Sequence, residues 1–504
     1  MSQNQPDIVL FLNDWPVRPA GANSGGGEIA TVSLARAFRK LQPNVYVCGN
    51  LPEGDCEIDD VKYIDFGKRY ELHRAIAKLT HLRSFYCFAA TLAHPFLLLR
   101  EDPRCLAKIL INHSPGIVSS GLEPATVMEI VNYMACVSQA QRSIIMSRGP
   151  LPQDRVVIVK NGFDPDLFKY SGPAGRNWNR LIYTGRLEPA KGIHILLESY
   201  QNLVREFPLL ELRIFGDETY WPDLAQRLPT IIGQFPGISF FGKVPQARLA
   251  TELREAGIQV FPSTSFETAG LSVIDAQGAG CPVVASAVGG VPEYLFANKC
   301  GRLFSPATSE NLTVALRELL SNPAQLEQMS VNCEKVARGH TWQEAARQLL
   351  ALAQKSAKAK AGECTVSQFN DPVLQRTLMP DSQPYSTLLE DHEAITNGSV
   401  ISDAEIDRHL IENAGLAAPY LWKGLRAEQL GNRTGAIEHF YSALARADKS
   451  DWQPAFRLFL LHAEACNLEG AVPYAQRLIL EHPYFPLREK METLVAYSQS
   501  ENAI

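Results

Sequence analysis

The stretch FPSTSFETAGLSVIDAQGAGCPVVASAVGGVPEYL, residues 261–295, decides how the rest of the chain is read. With the preceding IQV it begins as an apolar, β-branched run stopped by a Pro/Ser turn, as expected of a buried strand in a parallel sheet. Glu267 then falls in the loop beyond that strand's C-terminal edge. Gly270 precedes LSVIDAQGAG, read as a short helix whose first N–H groups and positive dipole end suit a diphosphate. Asp275 follows Glu267 by eight residues, about two helical turns. Both carboxylates can therefore face one ligand, and each accepts hydrogen bonds from vicinal hydroxyls, one on a sugar and the other on a ribose.

Upstream, TGRLEPAKGIHILL sets Arg186 and Lys191 five residues apart between a strand and a helix. An Arg fork grips phosphate oxygens in pairs and a Lys adds a point charge, so the two can offset charge building on a departing diphosphate. In ANSGGGE, Ser24 to Gly27 carry little side-chain bulk, and Gly26 and Gly27 let the backbone approach phosphate or sugar closely. His113 ends the apolar run KILIN. His94, in TLAHPFLL, reads as structural.

Around these loops the chain alternates apolar strand-like runs with helical stretches, which predicts α/β architecture. Residues 1–168 form one Rossmann-like, doubly wound domain and residues 169–354 a second, facing each other across a cleft where ligand loops gather. The polar, proline-containing segment 355–399 reads as a linker. Residues 400–504 regain helical periodicity. Within them GAIEHFYSAL at Gly435 recurs weakly as GAVPYAQRLIL at Gly470, a period of 35 residues. That period is close to the tetratricopeptide (TPR) repeat, predicting an all-α TPR-like domain with Gly424, Ala436, Phe440, Ala443 and Pro483 at packing positions.

The whole composition agrees: 504 residues with 46% hydrophobic and 20% charged is globular and long enough for several domains. Net charge −6 argues against a general nucleic-acid binder. The 10 cysteines form no CxxC pair, so neither a zinc site nor a disulfide framework is expected, and reduced thiols suit a cytoplasmic setting. The N-terminal MSQNQPDIVLFLND lacks the basic region of a secretory signal. Peripheral contact at the inner membrane face is compatible with this composition.

Residues 262–293 resemble the E-x7-E segment of retaining GT-B glycosyltransferases of the family 4 type, usually "PSxxxEGFGLxxxEAMAxGxPVVAS…GGxPE". The resemblance extends to "GRLxxxKG" at Gly185, Arg186, Leu187, Lys191 and Gly192, to "GGxE" at the first glycine-rich loop, and to the place of His113. It extends also to "FxGxV" at Phe240, Gly242 and Val244, and to Trp342 near the last helix. It implies that Arg186, Lys191, Glu267 and His113 serve catalysis, while Gly26, Gly27, Gly185, Gly216, Gly270, Leu271 and Asp275 bind the donor. A nucleoside-diphosphate sugar is then the co-substrate, with no metal or other cofactor, and the acceptor is a saccharide, lipid or protein. Asp164-Pro165-Asp166 spells the metal-binding D-x-D of another fold, but it matches the "VIPNGVDxxxF" crossing and is read as a decoy.

Three departures stand out: Thr268-Ala269 for Gly-Phe, Asp275 for the second Glu, and Asp217-Glu218 where a second glycine is usual. They leave two alternatives to a transferase: a nucleotide-sugar epimerase of the same fold, or a non-catalytic adaptor whose TPR-like part binds a protein partner. On the transferase reading, Lys191→Ala is expected to lower turnover with little loss of folding.

Overall fold

The computed structural model describes residues 5–19, 25–67, 72–91, 93–100, 102–114, 124–147, 151–170, 172–217, 222–357, 402–412, 417–447, 453–465, 467–481, 491, 492 and 495. Ser24, Glu218, Pro483 and the linker beyond residue 357 lie outside them. The chain divides into two units, Met1–Cys364 and Thr365–Ile504.

The first unit holds two sheets. Strands β1 (Asp7–Pro16), β2 (Val45–Asn50), β3 (Cys56–Ile58), β4 (Val61–Asp65), β5 (Phe85–Ala90), β6 (Cys105–Asn112), β7 (Tyr133–Cys136) and β8 (Val156–Ile158) lie in the order β3-β4-β2-β1-β5-β6-β7-β8. All neighbours are parallel except β3 and β4. Helices cover both faces of such a sheet, which is why β5 is buried at every position and reads as a continuous apolar run. The three-residue β3 is too short to leave a period in the sequence, and it caps the sheet edge beside β4.

The second sheet contains β9 (Asn177–Thr184), β10 (Glu211–Phe215), β11 (Ile238–Phe240), β12 (Ala256–Phe261), β13 (Val283–Ser286) and β14 (Gly301–Phe304), in the order β11-β10-β9-β12-β13-β14 and wholly parallel. Winding reverses between β9 and β12, so the loops leaving those two strands diverge and open a crevice at their carboxyl ends. These are the loops that carry Arg186, Lys191 and Glu267.

After the second sheet the chain returns to the first lobe. Trp342, Ala345, Ala346, Leu349 and Ala353 of the Trp342–Ala357 helix join the core built from β1, β2 and the Gly26–Arg39 helix. Phe163 N donates to His340 O, and Trp342 N donates to Phe163 O, so the outgoing and returning crossings run side by side.

The second unit is helical: Asp403–Glu412, Ala418–Gln429, Arg433–Leu444, Gln453–Glu464 and Leu468–Glu481. Its internal repeat is geometric as well as sequential. Ala436, Phe440 and Ala443 are fully buried, and so are Ala471, Ala475 and Leu478, the same positions one period later. Asn432 and Asn467 each accept a hydrogen bond from the backbone N–H three residues on, at Gly435 and Gly470, as helix N-caps do. Gly424 has no room for a side chain, since a Cβ there would come 2.4 Å from the Phe440 ring.

Candidate active site

The site is built where the β9 and β12 loops meet. A turn over Pro189–Lys191 ends at Gly192, whose φ of 68° lies in the left-handed region and whose Cβ, if present, would stand 1.8 Å from Pro262 O. That close approach lets Thr264 N donate to Ala190 O at 2.9 Å. With the loops laced together, Lys191 Nζ donates to Glu267 Oε1 at 2.7 Å, and Ser263 Oγ donates to the same oxygen at 2.5 Å. Arg186 pairs with Glu188 at 2.8 Å. Lys191 and Glu267 thus form one ion pair, and Arg186 and Glu188 a second.

Gly270, with φ of 92°, starts the Leu271–Gly278 helix. Gly216 packs so tightly on the β9 loop that a Cβ would lie 1.7 Å from Gly185 O. These loops border a cavity of about 630 Å³ that also reaches Gly26, Gly27 and His113 of the first lobe. All eleven residues singled out in the sequence, Arg186, Lys191, Glu267, His113, Gly26, Gly27, Gly185, Gly216, Gly270, Leu271 and Asp275, line it. The first lobe approaches closely: a Cβ on Gly26 would be 3.5 Å from Leu271 Cδ1. Over neighbouring Gly25 the Glu28 carboxylate folds back, with Oε2 1.6 Å from where a Cβ would be, so this helix start already faces a carboxylate of its own.

His113 follows β6, and desolvation at the cavity floor pushes its imidazole down to about 4, leaving it neutral at pH 7. His94 is 1% exposed, a structural residue as expected.

Asp275 lies on the Leu271–Gly278 helix. It is 7% exposed and its carboxyl makes no ion pair or hydrogen bond among the described residues. Burial, and then repulsion from Asp164, push its pKa well above the usual carboxylate range, favouring the neutral acid. Asp164 and Asp275 line a smaller cavity of about 220 Å³ that shares Ile29, Gln246 and Leu271 with the larger one. Asp166 instead pairs with Lys40 at 2.7 Å, so the two acids of the D-x-D spelling face different partners.

Sequence reading missed the contacts that join the lobes. Glu293 accepts hydrogen bonds from Gln139 N at 2.7 Å and Ala140 N at 2.8 Å, so a second-lobe carboxylate takes the first two N–H groups of the first-lobe helix Gln139–Met146. Tyr294 OH donates to Val137 O at 2.6 Å and accepts from Asn161 N at 2.9 Å. Thr268 Oγ1 donates to His113 O at 3.1 Å. Ser138 is the local N-cap, accepting from Gln141 N at 3.1 Å, but nothing in the sequence says that the first two N–H groups are taken by a residue 154 positions from Gln139.

Comparison with known proteins agrees with this geometry. Residues 171–336 match the family described as "Glycosyl transferases group 1". The chain is 26% identical over 410 residues to D-inositol 3-phosphate glycosyltransferase 1 of Catenulispora acidiphila, covering 70% of this chain and 96% of that protein. It is 28% identical over 251 residues to glycogen synthase of Mycobacterium tuberculosis, covering 48% and 58%. Two solved structures share the fold. Sucrose-phosphate synthase from Thermosynechococcus elongatus has a TM-score of 0.59 at 19% identity, over 70% of this chain and all of that one. Anabaena HepE in complex with UDP and glucose has a TM-score of 0.55 at 18% identity, over 69% and 100%. The second sheet and its helices thus form a group 1 glycosyltransferase domain, and the chain is a glycosyltransferase.

Proposed function

We propose that the chain transfers a hexose or related sugar from a nucleoside diphosphate to an acceptor held by the first lobe, with retention of anomeric configuration and without a metal. The observation that carries this reading is the convergence of Arg186, Lys191, Glu267 and the Gly270 helix start on one cavity. A diphosphate there meets helix N–H groups together with Arg186 and Lys191, which stabilise the negative charge that grows as the glycosidic bond breaks. No acidic nucleophile is needed if the acceptor hydroxyl attacks from the side the phosphate leaves and passes its proton to a phosphate oxygen. Glu267 holds sugar hydroxyls through the oxygen not used by Lys191. Asp275 serves the ribose, as a neutral acid able both to donate and to accept.

The acceptor is a saccharide, lipid or protein, and the helical unit, read as TPR-like, offers a surface for a protein partner. A cytoplasmic location with peripheral membrane contact is consistent with this reading. No helix among the described residues is long and apolar enough to cross a membrane.

The test is a panel of uridine, guanosine and adenosine diphosphate sugars incubated with candidate acceptors. Acceptor-dependent release of nucleoside diphosphate supports transfer, sugar interconversion without acceptor supports an epimerase, and no calorimetric binding of any nucleotide supports an adaptor.

A further inference from the structure

We infer that Thr268 is a specificity-determining residue that restricts the donor to a neutral, hydroxyl-bearing sugar and turns away one carrying a carboxylate. The inference rests on the donor-site reading above and extends it to the chemistry of the sugar.

Thr268 stands where the resembling pattern has glycine, so its side chain is an addition to the cavity wall. Its backbone is fixed from behind by two glycines. A Cβ on Gly289 would lie 2.1 Å from Glu267 O, and one on Gly290 would lie 2.3 Å from Thr268 O. Gly290 N donates to Glu267 O at 2.7 Å, closing the contact. The side chain meanwhile reaches the first lobe, where its hydroxyl donates to His113 O. That carbonyl is itself held still. Gln141 Nε2 donates to Asn112 O at 2.9 Å and Ser114 O at 2.6 Å on either side of it.

A threonine hydroxyl has one proton and two lone pairs. With its proton given to His113 O, Thr268 presents only an acceptor to the cavity. Glu267 presents another: Oε1 is taken by Lys191 and Ser263, and Oε2 makes no hydrogen bond among the described residues. The Lys191 charge is already balanced by Glu267, and the His113 imidazole is neutral at pH 7. Of the other charged groups on the cavity, Arg186 pairs with Glu188, and Lys243 is matched in number by Asp217, so the cavity offers hydroxyl-seeking acceptors with no cation in excess. A hexose satisfies them with its O–H groups. A hexuronate brings a carboxylate to the same lone pairs with no proton to give them, and acceptor facing acceptor without a donor between them is disfavoured.

The test uses the whole chain and whichever of uridine, guanosine and adenosine diphosphate it binds best. The wild type should use the neutral hexose donor at least ~100-fold better in kcat/KM than the hexuronate donor of the same nucleoside. Thr268→Val keeps the shape but removes the hydroxyl. It should lower kcat/KM for the neutral donor ~10-fold, raise that for the hexuronate donor ~3-fold and leave the Kd of the free nucleoside diphosphate within ~2-fold. Thr268→Ser should recover most of the loss. The inference is overturned if the wild type uses both donors equally, if Thr268→Val retains full neutral-donor kcat/KM, or if Thr268→Ser is as poor as Thr268→Val. Failure of the wild type to bind any nucleotide would instead overturn the donor-site reading itself.

Discussion

The pairing of Lys191 with Glu267 changes what a substitution at either position means. Read from sequence, Lys191→Ala removes a phosphate-binding cation and leaves folding alone; in the structure it also strips a partner from a carboxylate whose side chain is 11% exposed. We expect Lys191→Ala to lower kcat ~100-fold and to cost ~1–3 kcal/mol of stability, read by a steady-state assay and urea unfolding. Asp275 illustrates a trade between stability and function. Its raised pKa means that whatever the neutral acid contributes to stability is fully present below the unfolded pKa near 3.8 and lost as pH rises through the higher folded value. Asp275→Asn should therefore raise the Tm at pH 8 more than at pH 4, while weakening donor binding. His113 works in the opposite direction. With a folded pKa of about 4 against 6.5 unfolded, its contribution is intact above pH 6.5 and lost as pH falls toward 4. His113→Gln should flatten the fall in unfolding free energy between pH 6.5 and 4, by at most ~3 kcal/mol, read by urea unfolding at each pH.

At the scale of elements, the strands and the loops that leave β9 and β12 were legible because a two-face-buried parallel strand is a continuous apolar run ending in turn residues. Gly192 shows why the loop geometry was only half readable: the glycine is visible in the sequence, but the Pro262 carbonyl it must accommodate is not. Gly192→Ala combines a left-handed backbone with that clash. It should cost more than ~2 kcal/mol and displace Lys191, lowering both Tm and kcat. Glu293 is a parallel case, since "GGVPE" is recognisable as a pattern while its carboxylate takes the first two N–H groups of a helix in the other lobe. Glu293→Ala removes acceptors from two helix-start N–H groups and should cost ~1–2 kcal/mol in chemical unfolding. The short edge strand β3 and the return of the Trp342–Ala357 helix to the first lobe were not readable, because both are decided by packing partners distant in the chain.

At the scale of the molecule, the cores of the two-lobed unit and of the helical unit are made of separate sets of residues. The repeat near Gly435 and Gly470 was legible since each copy buries the same small and large positions, whereas the partner such a surface takes leaves no comparable trace. A chain ending at Ala357 should bind nucleoside diphosphate with a Kd within ~3-fold of the full chain, because independent units add with little coupling. The central claim concerns the larger unit, where loops from the switch between β9 and β12 form one receptor for an activated sugar. Its most direct measurement is a crystal structure of the full chain soaked with the nucleoside diphosphate it binds best. The account predicts phosphate oxygens within hydrogen-bonding distance of Arg186, Lys191 and the N–H groups that follow Gly270. A nucleotide seated elsewhere, or phosphates out of reach of both cations, would contradict it.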